Sequence, residues 1–297
     1  MKILLFGKDG QVGRELRRTL LPLGEVFALN RQDADLQNLT GLDRLLQTVK
    51  PELIVNAAAY TAVDKAETDS ATAFRINAEA VEVMAGHAFR QKILLVHYST
   101  DYVFDGQKPG AFVETDATRP LGVYGLSKRK GEEAIEQSRC NALIFRTSWV
   151  FSAHGGNFIK TILRLAKEKN RLNIVADQFG APTSAELIAD VTALAIAGYR
   201  SGRIGSGIYH LTANGEANWH RFARHIVDRA LANGLPLHLD ASQINAITAE
   251  DYPAPARRPK NSRLDTSLLS SGLGLQLPDW TVHANRTIDQ LTLSPFS

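Results

Sequence analysis

The sequence predicts an α/β fold, in which a doubly wound parallel sheet is followed by a smaller C-terminal α/β lobe. Three observations support this prediction: short apolar runs alternate with amphipathic stretches, the first run ends in a glycine-rich turn, and the alternation changes after about residue 150. The Val, Ile and Leu content of the apolar runs is typical of strands that are buried on both faces.

The first half of the chain carries the alternation. Strands are expected at Ile3–Phe6, Val26–Leu29, Leu53–Val55, Ile93–His97 and Ala142–Phe145. Helices are expected at Val12–Leu21, Leu39–Val49, Ala71–Arg90 and Leu126–Glu136. Strands and helices at this spacing form βαβ units, so the strands should lie parallel with helices on both faces of the sheet.

A glycine-rich turn follows the first strand. Gly7, Gly10 and Gly13 are spaced as G-x-x-G-x-x-G between that strand and the first helix. Glycine permits the tight turn and the close approach of backbone to a pyrophosphate, and the helix N-terminus offers free N–H groups to its charge. The turn therefore predicts a Rossmann-type dinucleotide site.

The second half of the chain is organised differently. Helices are expected at Asn157–Glu168, Ser184–Tyr199 and Trp219–Ala232, a short strand at Ile208–Leu211, and a loop-rich stretch at Leu235–Asn261. We expect residues 1–150 to form the dinucleotide-binding domain. Residues 151–297 should form mainly a substrate-binding lobe, with some segments returning to the first domain.

Composition narrows the class of protein. With 34 basic and 31 acidic residues the net charge is +3, which indicates neither a nucleic acid nor a membrane as partner. The single cysteine, Cys140, excludes an internal disulfide and a cysteine-based zinc site. Since no apolar run approaches the ~20 residues of a membrane span, we expect a soluble, cytoplasmic protein with a small-molecule substrate.

The end of the second strand bears on the choice of cofactor. NAD-binding proteins commonly place an acid there for the ribose 2′-hydroxyl, whereas this chain has Asn30 followed by Arg31. A guanidinium without an adjoining carboxylate favours a 2′-phosphate, so NADPH is preferred. Asp33 and Asp35 follow closely, and NADH therefore stays open.

Acid–base chemistry is indicated near the end of the fourth strand. Tyr124 and Lys128 are four residues apart at a helix start and so share one face. An ammonium one turn from a phenol stabilises the phenolate and lowers the phenol pKa, which suits proton transfer. Thr100, at the carboxyl end of a central strand, offers a hydroxyl for the substrate carbonyl.

Together these motifs resemble the extended short-chain dehydrogenase/reductases, and among them most closely the dTDP-4-dehydrorhamnose reductase family. The resemblance covers nearly the whole chain, and its later motifs are the more specific ones. It is carried by Gly7–Gly13, Asn56–Tyr60, Thr61–Glu67, Ser99–Phe104, Tyr124–Lys128, Phe145–Val150, Asp177–Thr183 and Pro255–Pro259.

The resemblance implies reduction of the C4 ketone of dTDP-4-dehydro-L-rhamnose to dTDP-L-rhamnose, a precursor of cell-surface polysaccharide. Catalysis would fall to Tyr124 as proton donor, Lys128 and Thr100. The cofactor-binding residues would be Gly7, Gly10, Gln11, Val12, Gly13, Asn30, Arg31, Asp35, Leu36, Ala57, Ala58, Ala59, Tyr60, Tyr124 and Lys128. Substrate would be held by Thr100, Asp101, Val103, Phe104, Trp149 stacking on thymine, Asn157, and Arg257 at the diphosphate.

The resemblance also implies a homodimer, which in some members is bridged by Mg²⁺ through carboxylates. Glu15 and Glu186 occupy matching positions. The C-terminal region that would supply a further carboxylate reads Ile288–Leu291.

Two other functions remain open as hypotheses. A nucleotide-sugar epimerase or dehydratase is one, although a dehydratase would want a glutamate after the acid at Asp101, where the chain has Tyr102. The other is an NADP-binding regulatory subunit like that of methionine adenosyltransferase. A binding module has no need of Thr100, Tyr124 and Lys128 together.

Overall fold

The computed structural model describes residues 1–293, which contain twelve strands and eleven helices. The strands are β1 Lys2–Phe6, β2 Glu25–Leu29, β3 Leu53–Asn56, β4 Leu94–Thr100, β5 Ala142–Thr147, β6 Val150–Phe151, β7 Leu172–Val175, β8 Phe179–Gly180, β9 Thr183–Ser184, β10 Gly207–His210, β11 Ala217–Asn218 and β12 Ile244–Ile247. The helices are α1 Gln11–Thr19, α2 Leu39–Val49, α3 Val63–Ala66, α4 Ser70–Phe74, α5 Ala80–Gln91, α6 Val123–Ser138, α7 Phe158–Glu168, α8 Ala185–Arg200, α9 Trp219–Ala232, α10 Ser267–Leu273 and α11 Trp280–Thr292.

Six parallel strands form the central sheet, in the order β10-β5-β4-β3-β1-β2. This confirms the predicted parallel α/β architecture. The sixth strand, β10, comes from the second half of the chain. The strand order reverses between β1 and β3, and the crevice at such a reversal is where open α/β sheets bind ligands.

The sheet is buried on both faces, and the side chains of successive residues in a strand pack on opposite faces. Ile54 packs with Met84 of α5 in one apolar cluster, whereas Val55 belongs with Leu16 of α1 to the other. Helix α8 packs against α1 on the second face. The continuous apolar runs of the sequence are explained by this double burial.

The smaller lobe is built around Phe222 of α9. Its ring packs on Phe151, Phe158 and Trp280, which bring together β6, α7 and α11. Two short strand pairs, β7 with β12 and β8 with β11, flank these helices.

The long helix expected at Ala71–Arg90 is interrupted. Between α4 and α5, Arg75–Glu79 forms a π-helical turn, an irregularity that is frequent at functional sites. Asn77 lies in this turn, and its side chain pairs with both backbone groups of Tyr60 at 2.9 and 3.1 Å and donates to the Ser127 hydroxyl at 3.0 Å. The turn thus binds the end of β3 to α6.

The sequence analysis missed the short strands β6, β7, β8, β9 and β11, the short helix α3, and three further elements toward the C-terminus. The stretch Leu235–Asn261 contains β12, which pairs with β7, and the helices α10 and α11 follow it. Within the part of the chain that the structure describes, no helix is long and apolar enough to cross a membrane.

Candidate functional site

A cavity of about 1260 Å³ lies at the carboxyl ends of the sheet strands, where the strand order reverses. It exceeds the ~300–1,000 Å³ typical of a single small-molecule site. Its lining unites the glycine turn, the ends of β3, β4 and β5 and the start of α6. From the predicted residues it includes Gly7, Gly10, Gln11, Val12, Asn30, Arg31, Asp35, Leu36, Ala57, Ala58, Ala59, Tyr60, Tyr124 and Lys128.

The glycine turn has the geometry that a pyrophosphate requires. Gly7 adopts φ 85°, and a Cβ there would lie 2.7 Å from the backbone nitrogen of Ala58. A Cβ on Gly13 would overlap the Gly7 carbonyl, so this third glycine lets α1 pack onto the turn. Gly10 caps α1 without a side chain, which leaves the first N–H groups of the helix for an anion. The residues present fit a dinucleotide.

A second observation at the cavity supports a polar ligand. The hydroxyl of Thr147 is buried without a hydrogen-bond partner among the described residues, and Thr147 lines the cavity beside Thr100 in the sheet register. A buried hydroxyl normally has a partner, because losing its hydration is costly. The sequence analysis did not single out Thr147.

Asn30, at the end of β2, is held by several hydrogen bonds. Its carbonyl oxygen accepts from the backbone of Gln32 and Asp33, and its amide donates to Asp9 at 2.8 Å. Arg31 is 74% exposed at the rim and lies 3.8 Å from an oxygen of Asp35. An exposed guanidinium can meet a 2′-phosphate, while the neighbouring carboxylate weakens that attraction.

Tyr124 lies in the first turn of α6, where its ring packs edge-on against Tyr102 at 5.6 Å. Burial raises the pKa of Tyr124 to about 12, and a hydrogen bond with Thr100 opposes the shift. Thr100 in turn donates to Asp101 at 3.1 Å. Burial also raises the pKa of Asp101 to about 6.

Lys128 is 2% exposed and directs its Nζ to Nε2 of His97, at 3.2 Å. Burial lowers the lysine pKa to about 8, although the charge of Glu132 opposes this. The expected lowering of the Tyr124 pKa is therefore not observed: burial dominates at the phenol, and the lysine contacts a histidine. His97 was overlooked, although a polar residue within a fully buried strand was a signal.

Two of the predicted substrate contacts have a packing role. Val103 and Phe104 are buried with Phe112 and Leu264 in a small cluster, where the Phe104 and Phe112 rings stack at 4.2 Å. Neither residue lines the cavity. A role of Val103 and Phe104 in substrate binding stays a prediction, and it would have to involve atoms outside this cavity lining.

Both amide hydrogens of Asn157 and its side-chain oxygen form hydrogen bonds within the protein. Its oxygen caps α7 by accepting from Lys160, and its amide donates to Gln11 Oε1 at 2.9 Å and to the Ser152 carbonyl at 2.6 Å. Asn157 therefore joins the lobe to the glycine turn rather than presenting a free amide to substrate.

Trp149 has one face covered. Its ring stacks on Trp219 with the centroids 3.6 Å apart, and a Cβ on Gly180 would lie 2.8 Å from it. The backbone of Trp149 is left-handed, with φ 50°. A nucleobase stacked on Trp149 would need the other face or a shift of Trp219.

The two arginines of the segment Pro255–Pro259 differ in exposure. Arg257 is exposed, whereas Arg258 is half-buried and donates to Asp64 at 2.8 Å. The positive charge of Arg258 also acts on Tyr102, which packs against Tyr124. The inward member of the pair is thus Arg258, and contact of Arg257 with the diphosphate stays a prediction.

The predicted metal ligands are engaged in ion pairs. Glu15 lies 3.9 Å from Arg18, and Glu186 lies 2.9 Å from Arg286. Among residues 1–293, no group of three or more His, Cys, Asp or Glu side chains is arranged to hold a metal ion.

Comparison with known proteins identifies the family. The sequence matches the RmlD substrate binding domain over residues 1–293. The chain belongs to this family. A dTDP-4-dehydrorhamnose reductase of Burkholderia thailandensis is 50% identical over 94% of this chain and 95% of its own length, and one of Escherichia coli K12 is 47% identical over 98% of both chains.

Solved structures agree with this assignment. A dTDP-4-dehydrorhamnose reductase of Clostridium acetobutylicum superposes with a TM-score of 0.90 at 34% identity, covering 98% of this chain and 99% of its own. The enzyme of Bacillus anthracis, solved in complex with NADP, gives 0.86 at 31% identity and covers 98% and 100%.

Proposed function

We propose that the protein is an NADPH-dependent reductase that converts dTDP-4-dehydro-L-rhamnose into dTDP-L-rhamnose. The observation that carries the proposal is that Tyr124, which is hydrogen-bonded with Thr100, and Lys128 line one cavity together with a glycine turn suited to a pyrophosphate. Relatives named for this activity are 45–50% identical over nearly the whole chain, and a structural neighbour binds NADP.

The chemistry divides between cofactor and protein. When bound, NADPH supplies a hydride to C4 of the sugar. The Tyr124 hydroxyl donates its proton to the C4 oxygen as charge develops there, and the Thr100 hydroxyl orients that oxygen. The high pKa of Tyr124 keeps the phenol protonated at neutral pH, which is the form that a reduction needs.

The nucleotide end of the substrate would lie toward the smaller lobe. Arg258 is the candidate for the diphosphate, because a guanidinium can form paired hydrogen bonds with anionic oxygens. Trp149 is the candidate for stacking on the base. Glu15 and Glu186 would contribute to an Mg²⁺ site only if a second copy of the chain completed it, as in a homodimer.

The test is NADPH oxidation with dTDP-4-dehydro-L-rhamnose, with the product identified by NMR. A reductase consumes one NADPH for each dTDP-L-rhamnose formed. A binding module would take up NADPH without oxidising it, and an epimerase or dehydratase would change the sugar without net loss of NADPH. Either of these two results would contradict the proposal.

A further inference from the structure

A buried chain of hydrogen bonds connects the cofactor wall to Lys128. The backbone N–H of Ala58 donates to Asn56 Oδ1 at 3.1 Å, Asn56 Nδ2 lies 3.2 Å from His97 Nδ1, and His97 Nε2 lies 3.2 Å from Lys128 Nζ. Asn56 and His97 are 1% and 0% exposed, so water does not compete for these bonds.

The orientation of Asn56 fixes the proton on His97. Its Oδ1 accepts from the Ala58 N–H, which leaves Nδ2, a donor, facing the histidine. Nδ1 of His97 must therefore be the acceptor. A neutral imidazole has one acceptor and one donor nitrogen, so the proton lies on Nε2.

That proton faces Lys128. An ammonium has three donors and no acceptor, and it cannot pair with Nε2–H, whereas a neutral amine has a lone pair that accepts from it. A doubly protonated His97 is disfavoured, because its charge would be buried next to the lysine.

We propose that His97 is a positioning residue for Lys128: its Nε2–H donates to the lysine nitrogen and favours the neutral amine over the ammonium. Gly131 lies on α6 next to this pair: a Cβ there would overlap the carbonyl of Asn77 and would lie in ordinary contact with Nε2, at 3.7 Å.

The surrounding charges do not reverse this preference. Glu132, one turn along α6, favours the ammonium, but its carboxylate is already paired with Arg146 through bonds of 2.7 and 2.8 Å. Tyr124 is neutral, with its pKa at about 12. Asp101, which has a pKa of about 6, acts on Tyr124 and Tyr102. Burial of Lys128 works in the same direction as His97.

The preference has a consequence for the reaction. An ordinary lysine stays charged until about pH 10. A lysine whose neutral form is stabilised exchanges its proton near neutral pH, beside the Tyr124 that gives up a proton in each turnover. This role in turnover rests on the proposed function, whereas the protonation preference itself does not.

The first test reads the tautomer directly. In protein prepared without added cofactor, ¹⁵N shifts of His97 should show Nε2 protonated and Nδ1 bare across neutral pH. Protonation at Nδ1, or at both nitrogens, would overturn the proposal. No substitution is involved, so this reading is decisive even where a variant does not fold.

The second test titrates Lys128. The protein is labelled with [¹³Cε]lysine, and Lys128→Arg assigns the Lys128 signal. His97→Gln should raise the Lys128 pKa by about one unit, a tenfold change in the protonation equilibrium. The reason is that the glutamine amide can turn its oxygen to the ammonium. His87→Gln, at a buried histidine of α5, is the control and should leave it unchanged. Equal values in His97→Gln and wild type would overturn the proposal. Neither measurement requires turnover, so failure of the proposed reaction would be seen separately.

Discussion

The amide of Asn157 donates a 2.9 Å hydrogen bond to Gln11 Oε1 and so fastens helix α7 of the smaller lobe to the first residue of α1. Gln11 follows Gly10 of the cofactor turn and lines the cavity. The orientation of the turn and the position of the lobe are therefore coupled through one side chain.

Asn157→Ala should weaken NADPH binding as well as stability. Loss of the α7 cap costs about 1 kcal/mol of unfolding free energy. Loss of the bond to Gln11 should raise the NADPH Kd roughly two- to tenfold, as for a neutral hydrogen bond. Asn218→Ala removes a comparable cap, that of α9, and is the control. If both variants bind NADPH equally well, Asn157 does not act on the turn.

Tyr124→Phe retains the ring and removes the proton donor. We expect kcat to fall by about 10²–10⁴, the usual range for a positioned acid or base, with little change in the NADPH Kd. Steady-state kinetics and a fluorescence titration of NADPH measure the two effects. Turnover near that of the wild type would exclude Tyr124 as the donor.

Arg31→Ala should discriminate between the two cofactors. NADPH affinity should fall roughly fivefold, equivalent to about 1 kcal/mol for an exposed charge pair, while NADH affinity should hardly change. Arg44→Ala, on an exposed position of α2, is the control. Equal losses for NADPH and NADH would show that Arg31 does not contact the 2′-phosphate.

Arg258→Ala should raise the Kd for dTDP by about tenfold or more, since a charge-assisted pair contributes roughly 1.5–3 kcal/mol. Arg257→Ala, at the exposed neighbour, should have little effect. Asp64→Asn breaks the ion pair of Arg258 but keeps the guanidinium, so dTDP should still bind. A larger loss of dTDP affinity in Arg257→Ala than in Arg258→Ala would show that Arg257 contacts the diphosphate instead.

The local geometry of the candidate site follows from the sequence where it is set by neighbouring residues. Gly7 needs its positive φ and its missing Cβ because of the turn in which it lies, and the spacing of Tyr124 and Lys128 places them on one helical turn wherever that helix packs. Such features are encoded within a few residues of each other.

The errors concern contacts between segments that are distant in sequence. Nothing near Lys128 indicates that it contacts His97, 31 residues away, and nothing near Asn157 indicates that its amide donates to Gln11, 146 residues away. Strand β12 was missed because Asn245 and Ala246 are exposed, so no apolar alternation marks it, and only its pairing with β7 defines it.

In the proposed reaction, NADPH bound in this cavity would supply a hydride to C4 of the sugar while Tyr124 protonates the oxygen. This reaction is tested most directly with NADPH carrying deuterium at its transferable position and dTDP-4-dehydro-L-rhamnose as substrate, followed by NMR of the product. We predict that the wild type forms dTDP-L-rhamnose with one deuterium at C4. Tyr124→Phe should form almost no product in the same time. Product without deuterium at C4, or the label at another carbon, would contradict the account.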